Sequence, residues 1–198
     1  MGKKKIIGLC LAVGLMVGVV GGSLAWFTDT DTVTNNFATQ GDGTENNNGI
    51  EIHEKFDSEL AQKALPETKV NKDVKVENKA SYPQLIRVKF EKKWVTGEGL
   101  DIENIELGFQ NLTTTGEEGK WIEGNDGYYY FNKVVQPKGF TENLLDYVKL
   151  SKNIDNNYKG KKYDVVVNAE SIQASNGAVS DAWKEAPEAI KALGGTLE

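Results

Sequence analysis

Residues 71–94, NKDVKVENKASYPQLIRVKFEKKW, hold the pattern that decides the fold. Apolar and charged residues alternate over residues 73–77 and again over residues 86–91, and a Ser-Tyr-Pro break separates the two runs. Alternation with a period of two is typical of a β-strand that has one buried and one solvated face. The stretch therefore predicts two half-buried strands.

The same alternation or strand-rich composition recurs along the chain between Gly, Asn, Asp and Pro residues. About eight strands at this spacing predict an all-β protein, an antiparallel β-sandwich. Helical signals are few, which makes short helices appendages of the β body. The further strand candidates are residues 50–53, 105–109, 121–123, 128–134, 144–150 and 163–174, and the helix candidates are residues 58–65, 178–185 and 187–193.

The amino terminus has the three parts of an export signal. Three lysines at residues 3–5 precede an uncharged apolar run over residues 6–22. Ser23 and Ala25 then place small side chains where a signal peptidase requires them, so cleavage is expected between Ala25 and Trp26. The protein is expected to be secreted, to an extracellular matrix or the cell surface, with residues 1–25 as its signal peptide. An uncleaved membrane anchor is the alternative, because the apolar run is long enough to span a bilayer.

The region after the signal divides into three parts by composition. Residues 26–40 are rich in Thr and aromatic residues, residues 41–49 form an Asn- and Gly-rich linker, and residues 50–198 form the sandwich domain with its short carboxyl-terminal helices. The only cysteine, Cys10, lies in the signal, so the body has no disulfide. The net charge of −6 becomes more negative when the signal lysines are removed, which disfavours nucleic acid and anionic membranes as partners.

The run KKKIIGLCLAVGLMVGVVGGSLAWFTDTDTVTNNF, residues 3–37, resembles the signal and mature start of the TasA, camelysin and BsaA family of biofilm-matrix fibre proteins. Residues 71–94 are similar to a strand pair of that family, and residues 160–183 are similar to its closing strand and tail. The resemblance implies a jelly-roll-like sandwich, processing by a dedicated SipW-type signal peptidase, and assembly into extracellular fibres with copies of itself and with other matrix proteins.

These observations predict a structural subunit that polymerises by β-strand addition. The freed segment from Trp26 to about residue 39 would pair with an open sheet edge of the next subunit, and Trp26, Phe27, Val33 and Phe37 would fill apolar positions there. Head-to-tail contacts of this kind do not close, so they build filaments. The alternative is that the same segment is the first strand of its own domain.

Catalytic patterns are weak in this sequence, and we expect no enzyme, no metal and no cofactor. Camelysin-like relatives have been classed as metalloproteases, and His53-Glu54 resembles the start of a zinc motif, but Asp57 stands where the second histidine belongs. His53 is the only histidine of the chain. A surface adhesin or carbohydrate-binding sandwich is a further alternative, with residues 128–131 and Trp121 as its candidate aromatic cluster.

A chain without disulfides can be reinforced by amide cross-links between lysine and Asn or Asp side chains. Such bonds need a desolvated lysine that loses its proton beside the carbonyl partner and an assisting acid. The sequence offers Lys69, Lys72 and Lys75, with Asn78 or Asn168 as partners.

Overall fold

The computed structural model describes residues 28–36, 49–61 and 64–195, the first of these ranges as backbone. Nine strands and three short helices account for most of the regular structure in these ranges. The strands are β1 Thr28–Asn36, β2 Ile50–Phe56, β3 Val70–Asn78, β4 Gln84–Trp94, β5 Ile105–Phe109, β6 Trp121–Glu123, β7 Tyr129–Phe131, β8 Leu145–Leu150 and β9 Tyr163–Gln173, and the helices are α1 Ser58–Ala61, α2 Ala178–Ala182 and α3 Glu188–Leu193.

The strands form two antiparallel sheets that face each other. The five-stranded sheet has the order β1-β9-β4-β7-β6, and the four-stranded sheet has the order β2-β3-β8-β5. The chain crosses repeatedly between the sheets, and its first and last strands are neighbours, as in a jelly roll. The prediction of an all-β, jelly-roll-like sandwich with short helical appendages is confirmed.

The main core fills the space between the sheets. Strand β3 shows why the sequence folds this way, since every second residue from Val70 to Asn78 is buried and those between are half-buried. The inward set of β4 continues this core with Ile86 and Val88, which are at most 1% exposed. The alternation that the sequence displays is therefore the alternation between core and surface.

A second, smaller core lies on the outer face of the five-stranded sheet. Leu85, Tyr130 and Ile172 form its floor, and Trp183 and Ile190 of the helical tail cover them. Helices α2 and α3 have only five and six residues. Isolated helices of this length are unstable in water, so neither would form without the sheet. Burial against the sheet holds the tail in place.

Helix α1 is shorter than the sequence predicted. It covers Ser58–Ala61 rather than residues 58–65, and Leu65 and Pro66 are already outside it. Asp57 caps the start of this helix, since its carboxylate accepts a hydrogen bond from the backbone N–H of Leu60 at 2.9 Å. Among the described residues no helix has the length and apolar character that crossing a membrane requires.

The sandwich has two ends that matter for function. At the Tyr163 end, β9 begins at Tyr163 opposite Trp94, the last residue of β4, and β2 finishes at Phe56. At the Gln173 end, β9 finishes opposite Gln84, the first residue of β4. Strand β2 begins at this second end, because its partner Asn78 donates a hydrogen bond to the Val135 carbonyl, which also binds the Gln84 N–H.

Candidate assembly edge

Strand β1 is the edge strand of the five-stranded sheet, and β9 is its sheet partner. The two run antiparallel in continuous register, with Thr28 opposite Ile172 at one extreme and Asn36 opposite Asp164 at the other. In the single chain, the amino-terminal segment is thus the first strand of its own sandwich, the alternative that the sequence left open. Strand β1 begins at the Gln173 end and finishes at the Tyr163 end.

The edge that β1 covers belongs to a deeply buried strand. Val165, Val167 and Ala169 of β9 are at most 1% exposed and lie in the main core, while β4 pairs with the other side of β9 along its whole length. Without β1, the second row of β9 backbone N–H and C=O groups would have no strand partner. Such an edge is a template for pairing with another strand of the right length.

Strand β1 also lies against β2 of the facing sheet and so closes one side of the sandwich. Two charged side chains lie in the interior beneath this side. The Lys72 side chain is 0% exposed, and its ammonium donates a hydrogen bond to Oε1 of Glu54, itself 10% exposed, at 2.9 Å. The ammonium also lies 5.6 Å from the centre of the Phe56 ring. Burial lowers the pKa of Lys72, and the attraction of Glu54 opposes that change.

A cleft opens at the Tyr163 end, where β1 finishes. Leu150, Ile154, Tyr158 and Tyr163 give it an apolar wall, and Lys159, Lys161 and Lys162 give it a basic rim. Its volume is about 820 Å³, room for a large side chain and adjoining backbone. The cleft is next to the point where a strand paired with β9 leaves the sheet.

Most residues predicted to act in cleavage and assembly lie outside the described residues. These are Ser23, Ala25, Trp26, Phe27 and Phe37, together with the signal peptide and residues 41–48 of the linker. Val33 is described as backbone, and it stands opposite the buried Val167. The structure therefore positions one of the four predicted assembly residues at the core-facing register of β9.

His53, which the sequence placed on a strand and outside a complete zinc motif, lies on β2. His53 Nε2 is 2.8 Å from a carboxylate oxygen of Glu77, and Glu51 completes a cluster whose ligand-type atoms lie within 4.8 Å of one another. Lys79 forms ion pairs with both glutamates. Glu54, which follows His53 in the incomplete zinc motif, lies on the opposite face of β2, because adjacent strand residues point in opposite directions. There it accepts a hydrogen bond from Lys72.

The candidate aromatic cluster of a carbohydrate-binding surface is largely interior. Trp121 and Tyr130 are 0% exposed and Phe131 is 3% exposed. Tyr128 and Tyr129 are half-buried, and Tyr128 lies over the Arg87 guanidinium, which is 3.9 Å from its ring centre. The cluster consists mainly of core residues.

The lysines and asparagines proposed for cross-linking are not all neighbours. Lys69 and Lys75 lie over surface rings, those of Tyr147 and Phe140. The Asn78 amide donates to the Tyr82 and Val135 carbonyls at the Gln173 end, whereas Lys72 lies opposite Phe56 at the other end. Asn168 lies on the outer face of β9, where its amide donates a hydrogen bond to Glu91. Neither predicted asparagine reaches Lys72.

The burial of Lys72 and its pairing with Glu54 were missed in the sequence, although a signal was present. Val70, Lys72, Val74 and Val76 share one parity in β3, so a lysine occupies a position in the apolar row. A charged residue inside such a row indicates a buried charge with a partner.

No known protein family, curated protein or solved structure matches this chain.

Proposed function

We propose that this chain is a secreted structural subunit that polymerises into extracellular biofilm-matrix fibres. In the fibre, the β1 segment of one subunit leaves its own body and occupies the β9 edge of the next. The observation that carries the proposal is the position of β1: it is an edge strand at the amino terminus, and it covers a nine-residue length of a core strand. Main-chain hydrogen bonds along that length would be the same in either arrangement.

The register sets the polarity of the fibre. A strand on β9 leaves the acceptor at the Tyr163 end, and the donor body begins at its own Gln173 end, where Ile50 starts β2. The Tyr163 end of one subunit therefore faces the Gln173 end of the next. This is a head-to-tail contact that does not close, so it propagates.

The chain between Asn36 and Ile50 is long enough for both arrangements. In the single chain its two ends lie at opposite ends of the sandwich, about 30 Å apart if taken as the span from Asp164 to Gln173 at the rise of a β-strand. Fully extended, it reaches roughly 50 Å. The same segment can join its body to a strand bound on a neighbour.

Phe37 follows directly after the last residue of β1, and in this proposal it enters the cleft at the Tyr163 end of the acceptor. The apolar wall of that cleft fits a phenyl ring, and its lysine rim complements the acidic residues Asp42 and Glu45 that follow in the linker.

Electron microscopy of the mature chain, residues 26–198, beside a chain that lacks residues 26–39 tests this function. The full mature chain should form filaments, whereas the truncated chain should be a folded monomer because its two cores remain. Filaments of normal morphology from the truncated chain would contradict the proposal. Amino-terminal sequencing of the secreted protein should begin at Trp26, and a membrane-bound product that retains Met1 would contradict the processing step.

A carbohydrate-binding function is the second candidate, and one groove supports it. Phe90, Phe109 and Tyr129 lie edge to face or tilted at centre-to-centre distances of 4.5 to 6.1 Å and line an open groove beside Lys92 and Glu103. Titration calorimetry with a soluble cellulose or chitin oligomer, with Phe109→Ala as the control variant, separates this candidate from the fibre subunit.

A further inference from the structure

The buried Lys72–Glu54 pair lies beneath the strand that closes the sandwich, and it resembles the reactive half of an amide-forming site. Lys72 carries an amine that no solvent reaches, at 0% exposure. Glu54 supplies a carboxylate at 2.9 Å that can accept and return a proton. Desolvation favours the neutral amine, which is the nucleophilic form of lysine.

A carbonyl partner is available on β1, judged by its backbone position. Asn35 stands opposite Val165, a core residue near the Tyr163 end of β9. Lys72 stands opposite Phe56, the last residue of β2, at that same end of the sandwich. Because β1 lies against β2, the register places Asn35 at the end of the edge strand where the Lys72–Glu54 pair lies.

We propose that Lys72 forms an amide bond with Asn35 of the strand that occupies the β9 edge, and that Glu54 is the acid that relays the proton. The Lys72 Nζ–Asn35 Cγ bond forms as the Asn35 Cγ–Nδ2 bond breaks. Glu54 takes one proton from Nζ and returns it to the departing Nδ2, which leaves as ammonia. The reaction exchanges one amide for another and needs no oxidant, reductant or nucleotide.

The bond would fix the strand covalently at the position where it lies. In a chain that covers its own β9 edge, the link joins β1 to β3 of the same chain and prevents exchange. In the fibre, the link joins the donor strand to the acceptor subunit. This second consequence rests on the proposed function, whereas formation of the bond does not.

Mass spectrometry of the secreted protein tests the bond. The intact mass of the mature chain should be lower than its sequence mass by one ammonia for each bond. After digestion with trypsin, a peptide of residues 26–55 should be joined to a peptide of residues 70–75, with Lys72 uncleaved. An unshifted mass, with both peptides separate, would overturn the proposal.

Three variants assign the residues. Asn35→Asp should still cross-link but lose one water instead of one ammonia, a readout that does not depend on loss of the fold. Lys72→Arg should abolish the joined peptide. Glu54→Gln should lower its rate of formation by at least about tenfold, since the proton relay is removed. The matched control Asn36→Asp, one residue along the strand, should leave the ammonia loss unchanged, and a water loss there instead would move the site away from Asn35.

Mixed labelling separates failure of the bond from failure of the fibre function. Fibres would be assembled from equal amounts of heavy-nitrogen and unlabelled protein, then boiled in SDS and digested. Joined peptides with one heavy and one light partner, together with an SDS-resistant ladder, support both proposals. Fibres that dissolve to monomers of unshifted mass overturn the bond and leave the fibre function standing. Joined peptides of a single label without fibres support the bond and contradict the fibre function.

Discussion

Individual side chains on the outer face of the five-stranded sheet connect the β body to its helical tail. The Arg87 guanidinium donates two hydrogen bonds to Glu170, at 2.6 and 2.9 Å, and lies 4.6 Å from the Trp183 ring centre. Tyr130 Oη in turn donates to Asp126 at 2.7 Å. A planar, delocalised cation is needed here, because it binds a carboxylate and stacks on rings at the same time.

Arg87→Lys is expected to destabilise the folded protein by roughly 1–3 kcal/mol, since lysine keeps the charge but loses the paired hydrogen bonds and the stacking. Urea denaturation followed by tryptophan fluorescence measures this change. Lys93→Arg is the matched control, because Lys93 is more than half exposed and its substitution should change the free energy of unfolding by less than about 0.5 kcal/mol. An Arg87→Lys protein as stable as the control would contradict the role given to the guanidinium.

Three consecutive tyrosines, in β7 and just before it, predict how stability depends on alkaline pH. Burial, with hydrogen bonds to Glu170, Glu123 and Asp126 respectively, raises the pKa of Tyr128, Tyr129 and Tyr130 to about 12. An unfolded tyrosine ionises near pH 10, so the unfolded state releases these protons first. The contribution of these protonated tyrosines to the free energy of unfolding is therefore complete below about pH 10, and it is lost as the pH rises towards about 12. Ultraviolet titration in buffer and in urea should show the later ionisation only in buffer, and coincident curves would contradict it.

At the scale of elements, the carboxyl-terminal helices depend on one anchor. Trp183 is 4% exposed and lies 5.8 Å, centre to centre, from the ring of Tyr130. It follows α2 directly, and its backbone N–H bonds back to Val179. Since neither tail helix has enough residues to be stable alone, their order depends on burial of this side chain.

Trp183→Ala should cost about 3–5 kcal/mol of stability, or release the tail from the sheet, because it empties a large part of the second core. Hydrogen exchange should then increase over residues 178–193, while β3 and β8 retain their protection because their buried residues belong to the main core. Loss of protection throughout the sandwich would show that the two cores are not separable.

The edge strand carries a second element-scale prediction. Val33 stands opposite the buried Val167, whereas Thr32 stands opposite Asn168 on the other register. Val33→Asp should slow filament growth and weaken β1 pairing, since it places a carboxylate opposite the buried Val167 and an unpaired charge in a core costs several kcal/mol. Thr32→Asp is the matched control and should assemble at nearly the normal rate. Light scattering and electron microscopy provide the measurement, and equal rates for the two variants would contradict the register.

For the whole molecule, the length of the linker controls the balance between self-closure and exchange. Deleting residues 42–47 leaves a connection between Asn36 and Ile50 that reaches less than about 30 Å when fully extended. This is too short for β1 to pair with β9 of its own chain without strain. Pairing with a neighbour remains possible where two bodies meet end to end. The deletion should therefore reduce the fraction of monomer and speed assembly.

Size-exclusion chromatography measures this shift, and a variant with residues 42–47 replaced by Gly and Ser at unchanged length is the control. An unassembled, destabilised deletion protein would contradict strand exchange, because it would show that β1 serves its own chain alone.

The sequence by itself determined the fold class and most of the strands. The runs at residues 73–77, 86–91 and 163–174 alternate clearly because one face of each strand is buried and the other is solvated, a property local to each strand. Local backbone chemistry also explains helix boundaries at Asp57, which caps α1, and at Pro187 and Gly194, which flank α3. The helix over residues 58–65 was predicted too long, since propensity alone does not show where tertiary contacts end.

Only the tertiary structure decided which strands are neighbours. The pairing of β1 with β9 joins residues near opposite ends of the chain, and no local pattern encodes that choice, because it depends on which edge the whole sandwich leaves open. The partner of Lys72 was decided in the same way: the alternation of β3 puts Lys72 in an apolar row, but no local pattern shows that Glu54 of another strand lies beside it. They become a buried pair because β2 and β3 turn those two positions towards a core that β1 closes.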